Sequence, residues 1–301
     1  MDNIVTINSK KIKVSNLDKI FWPAEKYTKG DLIEYYIKIS GYILPYLKNK
    51  PHTLVRMPNG INKKGFYQKN TENTPEWIKT KKIYSESNDE FINYLVCTDI
   101  VSLIYMVNLG CIDINPWFSR VNRLDNPDFL AIDLDPLNIS FEKVKETALA
   151  VKEVLDMAKA AGFCKTSGAT GIHIYVPLGG KYKFDKVRGF AEVLAHHVHN
   201  LLPDITSIER IPAKRRKKVY IDYLQNSRGQ TLAAPYCVRP KPHAPVSTPL
   251  KWDEVKKISS PEEFNIKTIH KRLSKHGDLF SGALGKGIDI LKCLKNLEKA
   301  A

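Results

Sequence analysis

The sequence predicts a mixed α/β (α+β) protein, with mixed β-sheets flanked by helices. Three observations carry this. Short apolar runs with period-two alternation, such as "DFLAIDLDP" (128–136) and "KKVYIDYLQN" (217–226), read as strands. They interleave with longer segments of helical apolar spacing, such as "SFEKVKETALAVKEVLDMAKAAG" (140–162). Proline and glycine punctuate the transitions, and no repeat or low-complexity tract interrupts the pattern.

In chain order, "TKGDLIEYYIKISGYILPYL" (28–47) predicts a helix, with Thr28 in the N-cap position. "PHTLVRMP" and "GFYQKN" predict two short strands around a glycine turn. "NDEFINYLVCTDIVSLIYMVNLG" (88–110) reads as one long, largely buried helix. After the strand at 129–134, Ser140 is a candidate cap for a helix. Phe141, Val144, Ala148, Val151 and Leu155 form its stripe, and Gly162 ends it. "CKTSGATGIHIYVPL" predicts strand, glycine turn and strand; "DKVRGFAEVLAHHVHNLLPD" is helical. A further strand at "KKVYIDYLQN" precedes a proline-rich extended stretch, and a helix over 289–300 closes the chain.

At 301 residues the chain has room for one large domain or two packed ones. Lys and Arg number 47 against 32 Asp and Glu, giving a net charge of +15 and pointing to a polyanionic partner, nucleic acid first. The five cysteines, Cys97, Cys111, Cys164, Cys237 and Cys293, form no C-x-x-C pair, which argues against a disulfide framework or a zinc site. The first residues lack the apolar core of a signal peptide. The most apolar window (94–112) is broken by Asp99 and Asn108, so the expectation is a cytoplasmic protein, at the nucleoid, with no membrane partner.

The candidate chemistry begins at Asp133 and Asp135. On a strand they share one face, while Ile132 and Leu134 share the other. Two adjacent carboxylates repel and call for a cationic partner. Asp222, in "VYIDY", joins them if its strand lies alongside. Three carboxylates on adjacent strands suit hard divalent cations, and two such ions serve in-line phosphoryl transfer. A bare D-x-D also occurs simply as a pair of strand-end caps. "SGATGIHIY" (167–175) adds a turn in which Gly168 and Gly171 allow close backbone approach and N–H groups face an anion. Ser167 supplies a hydroxyl and His173 an imidazole that could be protonated beside phosphate. The basic run "AKRRKK" (213–218) leads into the Asp222 strand, and Arg239 is a further candidate phosphate clamp. Phe66, Tyr67 and Lys69 interleave aromatics with charge, as base stacking requires. His196 and His199 are spaced for chelation but have no carboxylate or thiol partner in sequence, so they read as a solvated face.

In this order, "DFLAIDLDP", "SGATGIHIYVPL" and "VYIDYLQNSRGQTLAAPYCVRPKPHAPVSTPLKWDEV" resemble the polymerase domain of the bacterial ligase D family, within the archaeo-eukaryotic primase superfamily. "LDKIFWPAEKYTKGDLIEYY" extends the resemblance to the N-terminal region, and it runs to about Gly277. It implies one primase-type catalytic domain over 1–301: a DNA-binding part (1–120), a metal and nucleotide site (121–277) and a C-terminal helix (278–301). The activity implied is templated nucleotidyl transfer, filling gaps and extending ends in non-homologous end joining with nucleoside triphosphates, ribonucleotides preferred. Mn²⁺ or Mg²⁺, two ions, would be held by Asp133, Asp135 and Asp222. Ser167, Gly168 and His173 would hold the nucleotide, Arg239 its triphosphate, with Gln225 nearby and Arg215 on a basic loop. Ser167 is the candidate for contact with a 2′-hydroxyl. Lys19 and Lys29 match lysines that grip the 5′-phosphate of recessed or gapped DNA; Phe66 matches an aromatic at the template. Thr170 stands where many relatives carry lysine, and Cys237 where serine is common. No ligase or nuclease motif is visible, so the expectation is a stand-alone polymerase meeting an ATP-dependent DNA ligase and a Ku-like end-binding protein in trans. A de novo primase, a metal-dependent nuclease and a non-catalytic end-bridging module remain as alternatives.

Overall fold

The interleaved strands and helices of the computed structural model, which describes residues 2–7, 10–86 and 88–300, group into two units. The first comprises residues up to 122 with 231–246 and 265–274; the second comprises 123–230, 247–264 and 275–301.

In the first unit, β1 (Asp2–Ile7) and β2 (Lys10–Ser15) form an antiparallel hairpin, and β3 (Ile20–Trp22) pairs with β4 (Tyr27–Thr28). Thr28 caps α1 (Lys29–Lys38) as its sequence predicts. Its hydroxyl accepts from Asp31 N–H, and the Asp31 carboxylate accepts from Thr28 N–H. The expected single helix is two, because the chain breaks at Ile39 before α2 (Ser40–Leu47). The predicted strands β5 (His52–Arg56) and β6 (Phe66–Gln68) pair antiparallel.

The long helix expected over 88–110 is not formed. β7 (Thr80–Ser85) pairs with β8 (Glu90–Leu95), and only then does α3 (Ile100–Asn108) begin. Two local features decide this. Phe91 is exposed and Ile92 buried, the alternation of a half-covered strand. Asp99 sits in extended conformation and accepts from Ser102 N–H, a helix start in mid-segment. β9 (Cys111–Pro116) then flanks β5 in a sheet of order β6-β5-β9, and β10 (Ser119–Arg120) follows.

The second unit opens with β11 (Arg123–Pro127) and β12 (Phe129–Pro136). α4 (Phe141–Met157) follows; Ser140 occupies its N-cap position without a capping side-chain bond, and the helix stops before Gly162. Then come β13 (Phe163–Thr166), β14 (Ile172–Pro177), α5 (Phe184–Leu201), β15 (Thr206–Ser207) and β16 (Val219–Asp222). β17 (Pro249–Leu250) and α6 (Trp252–Val255) lie beyond the proline-rich stretch. α7 (Ile269–His276) falls mainly in the first unit, and α8 (Ile290–Ala300) closes the second.

The sheet of the second unit runs β15-β16-β12-β14-β13-β17, antiparallel except for β15 beside β16. Alternation gives it two unlike faces. Leu130, Ile132, Leu134, Ile172, Ile174, Val176, Val219 and Ile221 lie on one. They pack with Val144, Ala148, Val151 and Leu155 of α4 and with Val187, Leu194 and Val198 of α5. Each fully buried aliphatic side chain there contributes roughly 1.5–3 kcal/mol. The opposite face carries Asp133, Asp135, His173, Lys165 and Asp222. Helix packing therefore fixes the register that places the polar groups.

All five cysteines are buried, and none is in a disulfide. Among the described residues no helix is long and apolar enough to cross a membrane.

Candidate active site

Strand register assembles the second unit's polar face. Asp133 on β12 lies opposite Asp222 on β16 and, on its other side, opposite His173 on β14. His173 in turn lies opposite Lys165 on β13. Directly paired residues project to the same face, so one row crosses four strands: Asp222, Asp133, His173, Lys165. Asp135 sits two residues along β12 on the same face.

His173 Nε2 is 3.3 Å from Asp133 Oδ1, and its Nδ1 is 2.7 Å from Lys165 Nζ. Asp133, His173 and Lys165 are all buried. The partner that two adjacent carboxylates require is thus partly supplied from within the sheet. Asp222 is held by local donors: Tyr220 OH at 3.3 Å, Leu224 N–H at 3.0 Å and Gln225 Nε2 at 3.2 Å. Burial raises its pKa despite those donors.

Asp222 opens onto a pocket of about 400 Å³ walled by Arg188, Arg210, Arg215, Tyr220, Leu224 and Gln225. Three guanidinium groups make it a place for anions. Arg215 lies with its guanidinium 3.6 Å from the centre of the Tyr220 ring, and its Nε donates to Glu209 O. The Gln225 amide oxygen is buried and accepts no hydrogen bond from the described residues.

The turn at 167–171 differs from the expectation of an anion cradle. The N–H groups of Ala169, Thr170 and Gly171 all donate to Ser167 Oγ, at 3.1, 3.0 and 2.9 Å. The serine shapes the turn through them. Gly168 has φ +70°, which a side chain would resist. Gly171 is required for another reason: a Cβ there would stand 2.1 Å from the Leu134 carbonyl oxygen of β12. Its close approach is to the neighbouring strand.

The remaining expected residues lie in the first unit. Arg239 Nε is 3.1 Å from Asp113 Oδ2. A second pocket, of about 280 Å³, is lined by Lys19, Lys29, Arg56, Asn16 and Asn108 among others. Lys29 is buried and donates to Ser15 O and Asn108 Oδ1, both at 2.7 Å. Burial, with Lys19 nearby, lowers its pKa to about 8. Lys19 donates to Asn59 Oδ1 at 2.6 Å. Phe66 is 47% exposed, and the Arg56 guanidinium lies 5.1 Å from its ring centre. Lys69 is exposed one residue beyond β6. Cys237 is a packing residue whose Sγ accepts from Ile114 N–H at 3.0 Å. His196 is exposed, and His199 pairs with Thr206 Oγ1 at 2.8 Å. Sequence reasoning missed Lys165, Arg188, Arg210 and Arg56. A lone lysine or arginine normally marks a solvated position; strand register reveals Lys165 and Arg56, and the pocket wall reveals the exposed Arg188 and Arg210.

Among the described residues no three His, Cys, Asp or Glu side chains are already drawn into a metal-holding group. The donor chemistry nonetheless fits a hard divalent cation: three carboxylates share one sheet face beside an arginine-lined pocket.

A mixed sheet with three aspartates on one face, a glycine turn and an arginine pocket is an arrangement that suits a nucleotidyltransferase of primase-polymerase type. Comparison with known proteins agrees. The family model of the LigD primase-polymerase domain matches residues 28–280. A bifunctional non-homologous end joining protein LigD of Bacillus subtilis is 32% identical over 270 residues, which are 89% of this chain and 43% of that protein. A multifunctional LigD of Pseudomonas aeruginosa is 28% identical over 265 residues, 87% of this chain and 31% of that one. The chain thus spans less than half the length of these curated relatives. The polymerase domain of Mycobacterium tuberculosis ligase D, solved in complex with DNA, superposes with a TM-score of 0.83 at 23% identity, covering 92% of this chain and 99% of that one. The chain belongs to the LigD primase-polymerase domain family, whose members are metal-dependent, DNA-directed nucleotidyltransferases.

Proposed function

We propose that this chain adds nucleotides to the 3′ end of a DNA primer under template direction, filling gaps and extending ends in non-homologous end joining. The observation that carries the reading is the alignment of Asp222, Asp133 and His173 across three adjacent strands, beside a pocket of three arginines. The relatives' names supply the pathway.

Asp133, Asp135 and Asp222 would hold two divalent ions, Mn²⁺ or Mg²⁺. When bound, these would supply Lewis acidity to the primer 3′-hydroxyl and neutralise charge on the triphosphate. The chain's own groups bind and orient. His173 faces the nucleotide from the centre of the row. Arg215, with Arg188 and Arg210, attracts phosphate oxygens into the Asp222 pocket. Gln225 offers its free amide oxygen there, and Ser167 and Gly168 hold the turn beneath the nucleotide. No side chain needs to act as a covalent nucleophile. Arg239 is assigned to the triphosphate, and Ser167 to ribonucleotide preference, by family position. In the first unit, the pocket of Lys19, Lys29 and Arg56 suits a 5′-phosphate, with Phe66 and Lys69 on the template strand. The partners proposed are gapped or recessed DNA, nucleoside triphosphates, an ATP-dependent DNA ligase and a Ku-like protein, at the nucleoid.

The test is extension of a labelled primer on a gapped template, with and without a downstream 5′-phosphate, using ribo- and deoxynucleotides in Mn²⁺ or Mg²⁺. Templated addition that the phosphate enhances, ribonucleotides favour and Asp133→Ala/Asp135→Ala abolishes supports the reading. Addition by the double variant at the wild-type rate, or none by the wild type, overturns it.

A further inference from the structure

Lys165 is the most deeply buried member of the polar row, at 0% exposure, in the interior of the sheet. A lysine so placed must find partners for its ammonium. Its Nζ lies 2.7 Å from His173 Nδ1 and 2.6 Å from Ser247 Oγ, and 5.7 Å from the centre of the Tyr175 ring. Ser247 Oγ donates to the Thr166 carbonyl at 2.8 Å, so its lone pairs remain for the lysine. A hydroxyl oxygen whose own proton is engaged elsewhere and a π face are the surroundings of an ammonium.

An ammonium has three protons and no lone pair. Facing it, His173 Nδ1 can only accept. The proton of the neutral ring then sits on Nε2, the atom that looks towards Asp133 Oδ1 at 3.3 Å. We propose that Lys165 is a positioning residue: anchored by Ser247, it fixes His173 in the Nε2–H tautomer and turns that N–H onto the carboxylate face. Resting on the nucleotidyl-transfer reading, this gives the imidazole one task there, donation to a carboxylate or phosphate oxygen. It also removes the Nε2 lone pair from the face. The ligand set stays all-oxygen, which suits hard cations over the nitrogen-seeking ones.

The test begins with the wild-type protein. Long-range ¹H–¹⁵N correlation spectra of histidine-labelled protein at neutral pH report which ring nitrogen carries the proton, and His173→Gln assigns the signals by their loss. The expected result is a protonated Nε2 and a hydrogen-bonded, unprotonated Nδ1. A proton on Nδ1, or on both nitrogens, overturns the proposal. This arm needs no variant of Lys165 to fold. In Lys165→Met, a near-isosteric change, the Nδ1 signal should move to that of a free acceptor. KM for the nucleoside triphosphate should rise about tenfold, as expected for one charge-assisted hydrogen bond, with kcat changed less than about threefold. Lys165→Arg should recover part of both. Unchanged KM in a Lys165→Met protein whose Nδ1 signal has moved overturns the functional half. A wild-type enzyme that adds no nucleotide overturns the nucleotidyl-transfer reading itself, and the tautomer then decides the lysine contact alone.

Discussion

Asn226 bears on strand β12 in a way that can be measured. The β12 and β16 ladder pairs residues from Asp133 to Pro136, and β16 ends at Asp222. Ala131, two residues before Asp133, is flanked on that side by the Asn226 side chain. Asn226 Oδ1 accepts from Ala131 N–H at 2.8 Å, and Nδ2 donates to Ala131 O at 2.6 Å and to Tyr223 O at 2.8 Å. The amide thus extends the ladder as a neighbouring peptide would, at 1% exposure. Asn226→Ala strands a buried N–H and a buried C=O on β12. Each orphaned group costs about 1–3 kcal/mol, so a net loss of roughly 2–4 kcal/mol is expected after partial hydration of the cavity. For a chain of this size that is a fall of about 3–6 °C in the unfolding midpoint by scanning calorimetry. Templated addition by the folded variant should also fall, since the strand that carries Asp133 is loosened. A loss below about 0.5 kcal/mol, the range of an ordinary surface substitution, would refute the reasoning.

The first unit supplies two further predictions. Lys29 has its pKa lowered to about 8 from 10.5. Its ammonium is therefore lost as pH rises through about 8, and the preference for 5′-phosphorylated over 5′-hydroxyl gapped DNA should decline over that interval. Lys29→Met should remove both the preference and its pH dependence; binding by fluorescence anisotropy from pH 6.5 to 9.5 tests this. The folded protein binds fewer protons than the unfolded chain between about pH 8 and 10.5. The Lys29 contribution to stability should accordingly rise over that window, and denaturant midpoints of wild type and Lys29→Met read it. Phe66→Ala should weaken template-strand binding by about 1–3 kcal/mol if a base stacks on this exposed ring. An unchanged Kd on gapped DNA would remove Phe66 from the interface.

Much of the site was legible because burial imposes a period. The alternation in "DFLAIDLDP" separates Asp133 and Asp135 from Ile132 and Leu134, and the same alternation in "VYID" places Asp222 opposite its aliphatic neighbours. The glycine turn was legible too, but its physical cause was not. That Gly171 yields to the Leu134 carbonyl, and that Ser167 collects the turn's own N–H groups, follows from tertiary placement. The stretch 88–110 misled because its apolar residues satisfy both periods until Asp99 is recognised as a cap. Lys165 and Asn226 carried no local signal. A lysine between Cys164 and Thr166 acquires its meaning only when β14 brings His173 alongside and Ser247 closes the other side.

The central claim is that Asp133 and Asp222, though 89 residues apart in sequence, act as one centre. Single-turnover templated addition by Asp133→Asn, Asp222→Asn and the double variant tests it most directly. The account predicts that each single substitution lowers the rate by about 10³-fold, the several kcal/mol a catalytic cation supplies, and that the double variant is no slower than the worse single one. Losses that multiply, or a single variant that keeps the wild-type rate, would contradict it.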